Sequence, residues 1–179
     1  MKKVLFALVV LAMAFASTTL WAQSGPSTAI DFINRGVEYF DNGDLDRAMA
    51  DFNQAIRLEP NNADAYTWRA EVYIEKSDWD RAIADYTVAI RLDPNYAEAY
   101  NNRGYTYNQK SDWDRAIADF NQAIRLDPDY ERSYRHRAFA YMQKGNFTQA
   151  RADVNKALQL DPDYQEAREL SAELQRRGH

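Results

Sequence analysis

Three short acidic motifs, Asp44-Leu45-Asp46, Asp78-Trp79-Asp80 and Asp112-Trp113-Asp114, place two carboxylates one residue apart, as the first ligands of a calcium loop are placed. A calcium loop continues into a glycine turn and a distal acid, and neither follows here, so helix capping is the simpler use of these acids. His136 is the one histidine besides the C-terminal His179. A general base needs a carboxylate to orient it, whereas Arg132 and Arg135 flank His136 and oppose its protonation, so it reads as a binding contact or a solvated side chain. Asn146-Phe147-Thr148 is a formal glycosylation acceptor. The sequence contains no phosphate-cradling glycine loop, nucleophile elbow or paired-histidine motif, and no cysteine to serve as nucleophile or metal thiolate. The chain is therefore expected to be no enzyme and to use no cofactor or metal.

The 179 residues, 46% of them apolar, suffice for one compact domain or one short array. Lys2 and Lys3 precede an unbroken apolar run from Val4 to Ala16, followed by small residues, which is the layout of a secretory signal. Cleavage fits after Ala16 or after Ala22; Ala22 is preferred because Gln23 to Thr28 then forms a polar lead-in. The alternative is an uncleaved anchor over residues 4–22. Cleavage changes the balance from 22 cations against 27 acids to 20 against 27, which argues against a nucleic-acid partner. Without a cysteine to carry a lipid, the mature chain is expected to be free of the membrane, in a periplasmic or secreted location.

Residues 77–100 and 111–134 match at 17 of 24 positions, 34 residues apart. Pro60, Pro94, Pro128 and Pro162 keep the same spacing, as do Tyr39, Tyr73, Tyr107 and Tyr141, and also Ala48, Ala82, Ala116 and Ala150. Four units follow, 29–62, 63–96, 97–130 and 131–164. In the second unit Ala82, Ile83, Tyr86, Ala89 and Ile90 form one apolar stripe of a helix. That helix is expected to start at Asp80 and to end before Pro94. An earlier helix near 64–76 carries Tyr66, Ala70 and Tyr73. Two short antiparallel helices cannot cover each other's stripes, so neighbouring pairs must stack, with the alanines permitting close approach.

Gly36, Tyr39, Ala48, Phe52, Ala55 and Pro60 resemble the signature columns of the tetratricopeptide repeat, and the resemblance runs over residues 29–164. It implies an all-α, right-handed α-solenoid of antiparallel helix pairs, closed by a C-terminal capping helix over 165–179 with Ala167, Leu170 and Leu174 on one face. Ala70 and Ala138 depart from the family's small glycine and Val154 from its aromatic. Arg35, Arg69, Arg103 and Arg137 occupy a column often filled by leucine; their stems are expected along the packing surface with the guanidinium in water.

The resemblance also implies that the first helices line a concave groove, and their outward positions differ from unit to unit. The candidate contacts are Ile33, Val37 and Phe40 in the first unit, Trp68 and Glu71 in the second, Asn101, Asn102 and Tyr105 in the third, and Arg132, Arg135, His136 and Phe139 in the fourth. This grades from apolar through acidic and amide-rich to basic and aromatic. Trp68, Tyr105 and Phe139 turned to water would form a patch worth covering. A subset of the family clamps carboxylate tails with Lys, Asn and Arg; Asn102 and Arg132 match that pattern, but Thr67 and Glu71 stand where Lys and Asn are required, so the full clamp is rejected. The expected function is a non-catalytic adaptor holding a protein or peptide partner, one with an acidic stretch for Arg132 and Arg135. The alternative is a structural homo-oligomer of stacked units.

Overall fold

The structure is a computed structural model and describes residues 27–177. The expected signal segment, and most of the lead-in after it, lie outside those residues. The described chain is helical throughout: α1 Ala29–Asp41, α2 Leu45–Leu58, α3 Ala63–Glu75, α4 Trp79–Leu92, α5 Ala97–Gln109, α6 Trp113–Leu126, α7 Glu131–Gln143, α8 Phe147–Leu160 and α9 Gln165–Arg176. Each odd helix packs on the even one that follows, and each pair packs on the next, an all-α solenoid of helix pairs. No helix among the described residues is long and apolar enough to cross a membrane.

Local chemistry sets these boundaries. Thr28 caps α1 through a reciprocal box: its hydroxyl accepts from the Asp31 N–H while the Asp31 carboxylate accepts from the Thr28 N–H. The caps of α2, α4 and α6 are Asp44, Asp78 and Asp112, each accepting the N–H three residues on. The expected start at Asp80 is therefore two residues late. Asp80 lies in the first turn of α4 and pairs instead with Lys110 of the following unit, as Asp46 does with Lys76 and Asp114 with Lys144. The turn inside each pair needs a left-handed residue, supplied at one column by Gly43, Ser77, Ser111 and Gly145, with φ between 57° and 77°.

Alanines with no exposure fill the close contacts, and the aromatic column is read against its partner across the pair. A Cβ on Gly36 would lie 2.6 Å from the Phe52 ring and one on Gly104 would lie 2.7 Å from the Phe120 ring, so a full phenyl is accommodated opposite glycine. Where Ala138 replaces the glycine, the opposite residue is the smaller Val154 in the same cluster; where Ala70 does, it is Tyr86.

The arginine column overturns the expectation of guanidinium groups in water. Arg35, Arg69, Arg103 and Arg137 each fork onto an aspartate 16 residues on (Asp51, Asp85, Asp119 and Asp153), with paired N–O distances of 2.6 to 2.8 Å. Those aspartates are only 5 to 7% exposed. In the later three the remaining nitrogen reaches back to the preceding pair, at Asn53, Thr87 and Asn121. Each fork thus ties a pair together and, through its third bond, ties it to its neighbour. At the C-terminal end α9 lays Ala167, Leu170 and Leu174 against α7 and α8.

Candidate interaction groove

Because successive pairs are stacked in one sense, α1, α3, α5 and α7 line one side of the molecule and enclose, with the turn into α9, a groove of about 800 Å³. Phe40, Trp68 and Ile74 line its first end; Glu71, Asn102 and Tyr105 its middle; Glu131, Arg132 and His136 its far end. The turn into α9 adds Asp161, Asp163, Tyr164 and Glu166.

The middle holds a polar network that occurs once in the array. Tyr86, a fully buried residue of α4, donates its hydroxyl to Glu71 Oε1 at 2.5 Å, and Asn102 Nδ2 donates to the same oxygen at 2.8 Å. At the column of Tyr86 the other units carry Phe52, Phe120 and Val154, which cannot make this bond. Among the described residues Glu71 meets no cation. Burial raises its pKa above the usual carboxylate range, and the nearby Glu98 and Glu75 push the same way against the two hydrogen bonds. Burial, and then Glu71, push the Tyr86 phenol well above its ordinary value.

One turn further along, Asn101 Oδ1 accepts from Ser133 Oγ at 3.2 Å and lies 3.1 Å from His136 Nδ1. An oxygen there makes Nδ1 the protonated nitrogen of a neutral ring and leaves Nε2 an acceptor. Burial, then Arg135 and Arg132, hold the His136 pKa down to about 3, so the ring is neutral under ordinary conditions. Its faces rest on Tyr105 and Phe120, at 5.3 and 5.7 Å between ring centroids.

Seven of the expected contacts are brought together here: Phe40, Trp68, Glu71, Asn101, Asn102, Tyr105 and Arg132, with His136 as part of the floor. Others are not available. Ile33, 4% exposed, belongs to the core with Ala29 and Ala55, while Asn101, although it lines the groove, is only 1% exposed and acts as the bolt between α5 and α7. Val37 is half-buried among those same first-unit side chains. Phe139 packs edge-on to Trp113, 6.0 Å away, beside the Met142 and Val154 cluster. Arg135 lies outside the groove lining, with its Nε buried and unbonded. Trp68 is less free than expected, since it stacks on Phe52 at 6.2 Å and meets Phe40 edge-on at 6.0 Å.

The expected basic end is also corrected. Around Arg132 stand Glu131, Asp161, Asp163 and Glu166, and with Glu71 and Glu98 the groove presents six carboxylates to one guanidinium. Among the described residues only Asp163 is matched by an outside cation, Arg168, at 2.7 Å. The first-helix columns do not contain the α8–α9 turn, so reading them alone left out most of this charge. Tyr86 was missed because an aromatic in the stacking stripe reads as packing; its hydroxyl, unique in that column, is the signal that could have revealed it.

A tetratricopeptide repeat model matches residues 33–97, and a second tetratricopeptide repeat model matches residues 69–133 and 105–175. A search of curated proteins finds no match. Among solved structures, MamA is 25% identical with a TM-score of 0.71, covering 82% of this chain and 84% of its own. Pseudomonas aeruginosa pilF is 22% identical with a TM-score of 0.79, covering 84% of this chain and 68% of its own. The first TPR of Spaghetti (RPAP3), bound to the HSP90 peptide SRMEEVD, is 24% identical with a TM-score of 0.63, covering 64% of this chain and 91% of its own. The last two share the fold alone. With the second model spanning more than half of its length, the chain belongs to the tetratricopeptide repeat family.

Proposed function

We propose that the protein is a non-catalytic adaptor of four repeats, 29–62 to 131–164, with residues 165–179 as their cap, exported after cleavage at Ala22 and holding a peptide or partner helix in its groove. The observation that carries the reading is the contrast within each pair. The forks and alanine contacts recur at 34-residue spacing, while Phe40, Glu71, Asn102, Tyr105 and Arg132 vary where one continuous groove collects them. Repeats of this family serve as protein-interaction scaffolds, and one structural relative is bound to a peptide. That relative's acidic peptide does not carry over: Arg132 can take a single carboxylate at the rim, but Glu71 repels a run of them.

Proteins of the exported fraction captured by wild type and by Tyr105→Ala test the reading. Tyr105 is half-buried and makes no hydrogen bond in the core, so the variant should remain helical by circular dichroism. Loss of a specific partner supports the groove; equal capture by both proteins sinks it. Self-association has one observation in its favour, the exposure of Ile30 and Leu58 on the first pair, at 55% and 44%. Light scattering that rises with concentration, and falls in Ile30→Glu, would support it.

A further inference from the structure

Glu71 is an unusual residue to keep. A carboxylate removed from water without a cation is costly, and two neutral donors on one oxygen offset only part of that. Both bonds fall on Oε1, so Oε2 keeps its lone pairs for a donor entering the groove. Thr67, 5% exposed and in the same lining, has the Tyr96 hydroxyl beside its Oγ1, and that hydroxyl lies against Asp64 as well. His136 adds a neutral ring whose Nε2 can only accept. Glu98 stands close enough to Glu71 to repel it. Acceptors therefore outnumber donors here. The walls beside them are the rings of Trp68 and Tyr105, whose faces favour positive charge.

Resting on the groove reading above, we propose that the compartment floored by Glu71 and walled by Trp68, Tyr105 and Glu98 receives a lysine or arginine side chain of the partner. The ammonium or guanidinium donates to Glu71 Oε2 while its stem lies along the indole. Entry of the cation neutralises the half-buried charge, so the cost of keeping Glu71 in the free protein is relieved on binding. The carboxylates at the α8–α9 turn extend the same preference along the groove and steer basic segments toward it.

The test uses the mature chain and three pools of short fluorescent peptides, identical except for a central lysine, norleucine or glutamate between random apolar residues. The lysine pool should bind about tenfold tighter than the norleucine pool, the glutamate pool weakest, and added salt should narrow the gap. Glu71→Gln should erase most of the lysine preference, and Glu98→Gln, at an exposed position, should reduce it without endangering the fold. Equal binding of the lysine and norleucine pools, both lost in Tyr105→Ala, would overturn the cation site while leaving the groove adaptor intact. A glutamate preference would overturn it too. No binding by any pool, together with partner capture unaffected by Tyr105→Ala, would sink both.

Discussion

The two sides of each helix pair use charge in opposite ways. On the packing side every buried carboxylate has its guanidinium, and Asp51, Asp85, Asp119 and Asp153 repeat one bidentate geometry. On the groove side Glu71 is half-buried with two neutral donors and no cation among the described residues, and the arrangement occurs once. A repeat fold multiplies whatever its framework needs and leaves single copies where the framework needs nothing. A buried charge present four times with its partner is holding units together; one present once without a partner is available to something else.

The largest effect should come from breaking a fork. Asp119→Ala leaves the Arg103 guanidinium, only 16% exposed in its side chain, without its carboxylate, and should cost about 3 to 5 kcal/mol in urea unfolding. Replacing both partners by apolar residues of similar size should cost far less, because no charge is then stranded. A double variant as unstable as Asp119→Ala would mean that the fork supplies net attraction and more than geometry.

Acid should separate the two sides next. The folded pKa of His136 is depressed from 6.5 to about 3, so its contribution to stability is present above 6.5 and lost as pH falls toward 3. Between pH 7 and pH 5 the wild type should lose about 2 kcal/mol that His136→Gln does not lose. Glu71 carries the opposite sign. Its raised pKa favours the protonated form, so stability is withheld as pH rises through that pKa, and Glu71→Gln should melt higher than wild type near neutrality with the advantage vanishing in acid. Identical pH profiles for all three proteins would remove the groove network from the account.

Packing should give a cost of similar or smaller size. A methyl at Gly104 would press on a Phe120 ring that is fully buried, and Gly104→Ala should cost about 1 to 3 kcal/mol by thermal or urea unfolding. Adding Phe120→Val, the pairing already used by Ala138 and Val154, should recover part of it. A harmless Gly104→Ala would show that the ring can slide away, and the glycine column would then owe nothing to this contact.

Which parts were legible in sequence follows from the same asymmetry. Helices, the 34-residue unit, the alanine contacts and the apolar face of α9 announce themselves because a local pattern specifies each. The forks were visible as two columns, arginine and aspartate, 16 residues apart, but pairing them requires knowing that the two helices lie antiparallel with those faces together. The groove was harder. Phe40, Trp68, Glu71, Asn101, Asn102, Tyr105 and Arg132 were reached from helix faces, whereas Ile33 shares such a face and is buried, and Phe139 shares one and packs against the Met142 and Val154 cluster. One residue of rotation on a helix decides between floor and core, and periodicity alone does not resolve it. The acids of the α8–α9 turn belong to no helix face at all.

The smallest effect comes from the motif with the most obvious look of chemistry. The two acids of Asp78-Trp79-Asp80 have different tasks: Asp78 accepts the Arg81 N–H at 3.3 Å as the cap of α4, and Asp80, 83% exposed in its side chain, meets Lys110 across the unit boundary. Losing a cap costs about 1 kcal/mol because a backbone donor is left unsatisfied. An exposed pair is worth a few tenths at most, since water replaces either partner and salt screens both. Asp78→Ala should therefore lower stability several times more than Asp80→Ala, and only the second difference should disappear in high salt. A calcium loop would behave otherwise: both variants would abolish a calcium-dependent rise in melting temperature of the wild type. No described cluster of three or more metal-binding side chains is present, and added calcium is expected to leave the melting temperature where it was.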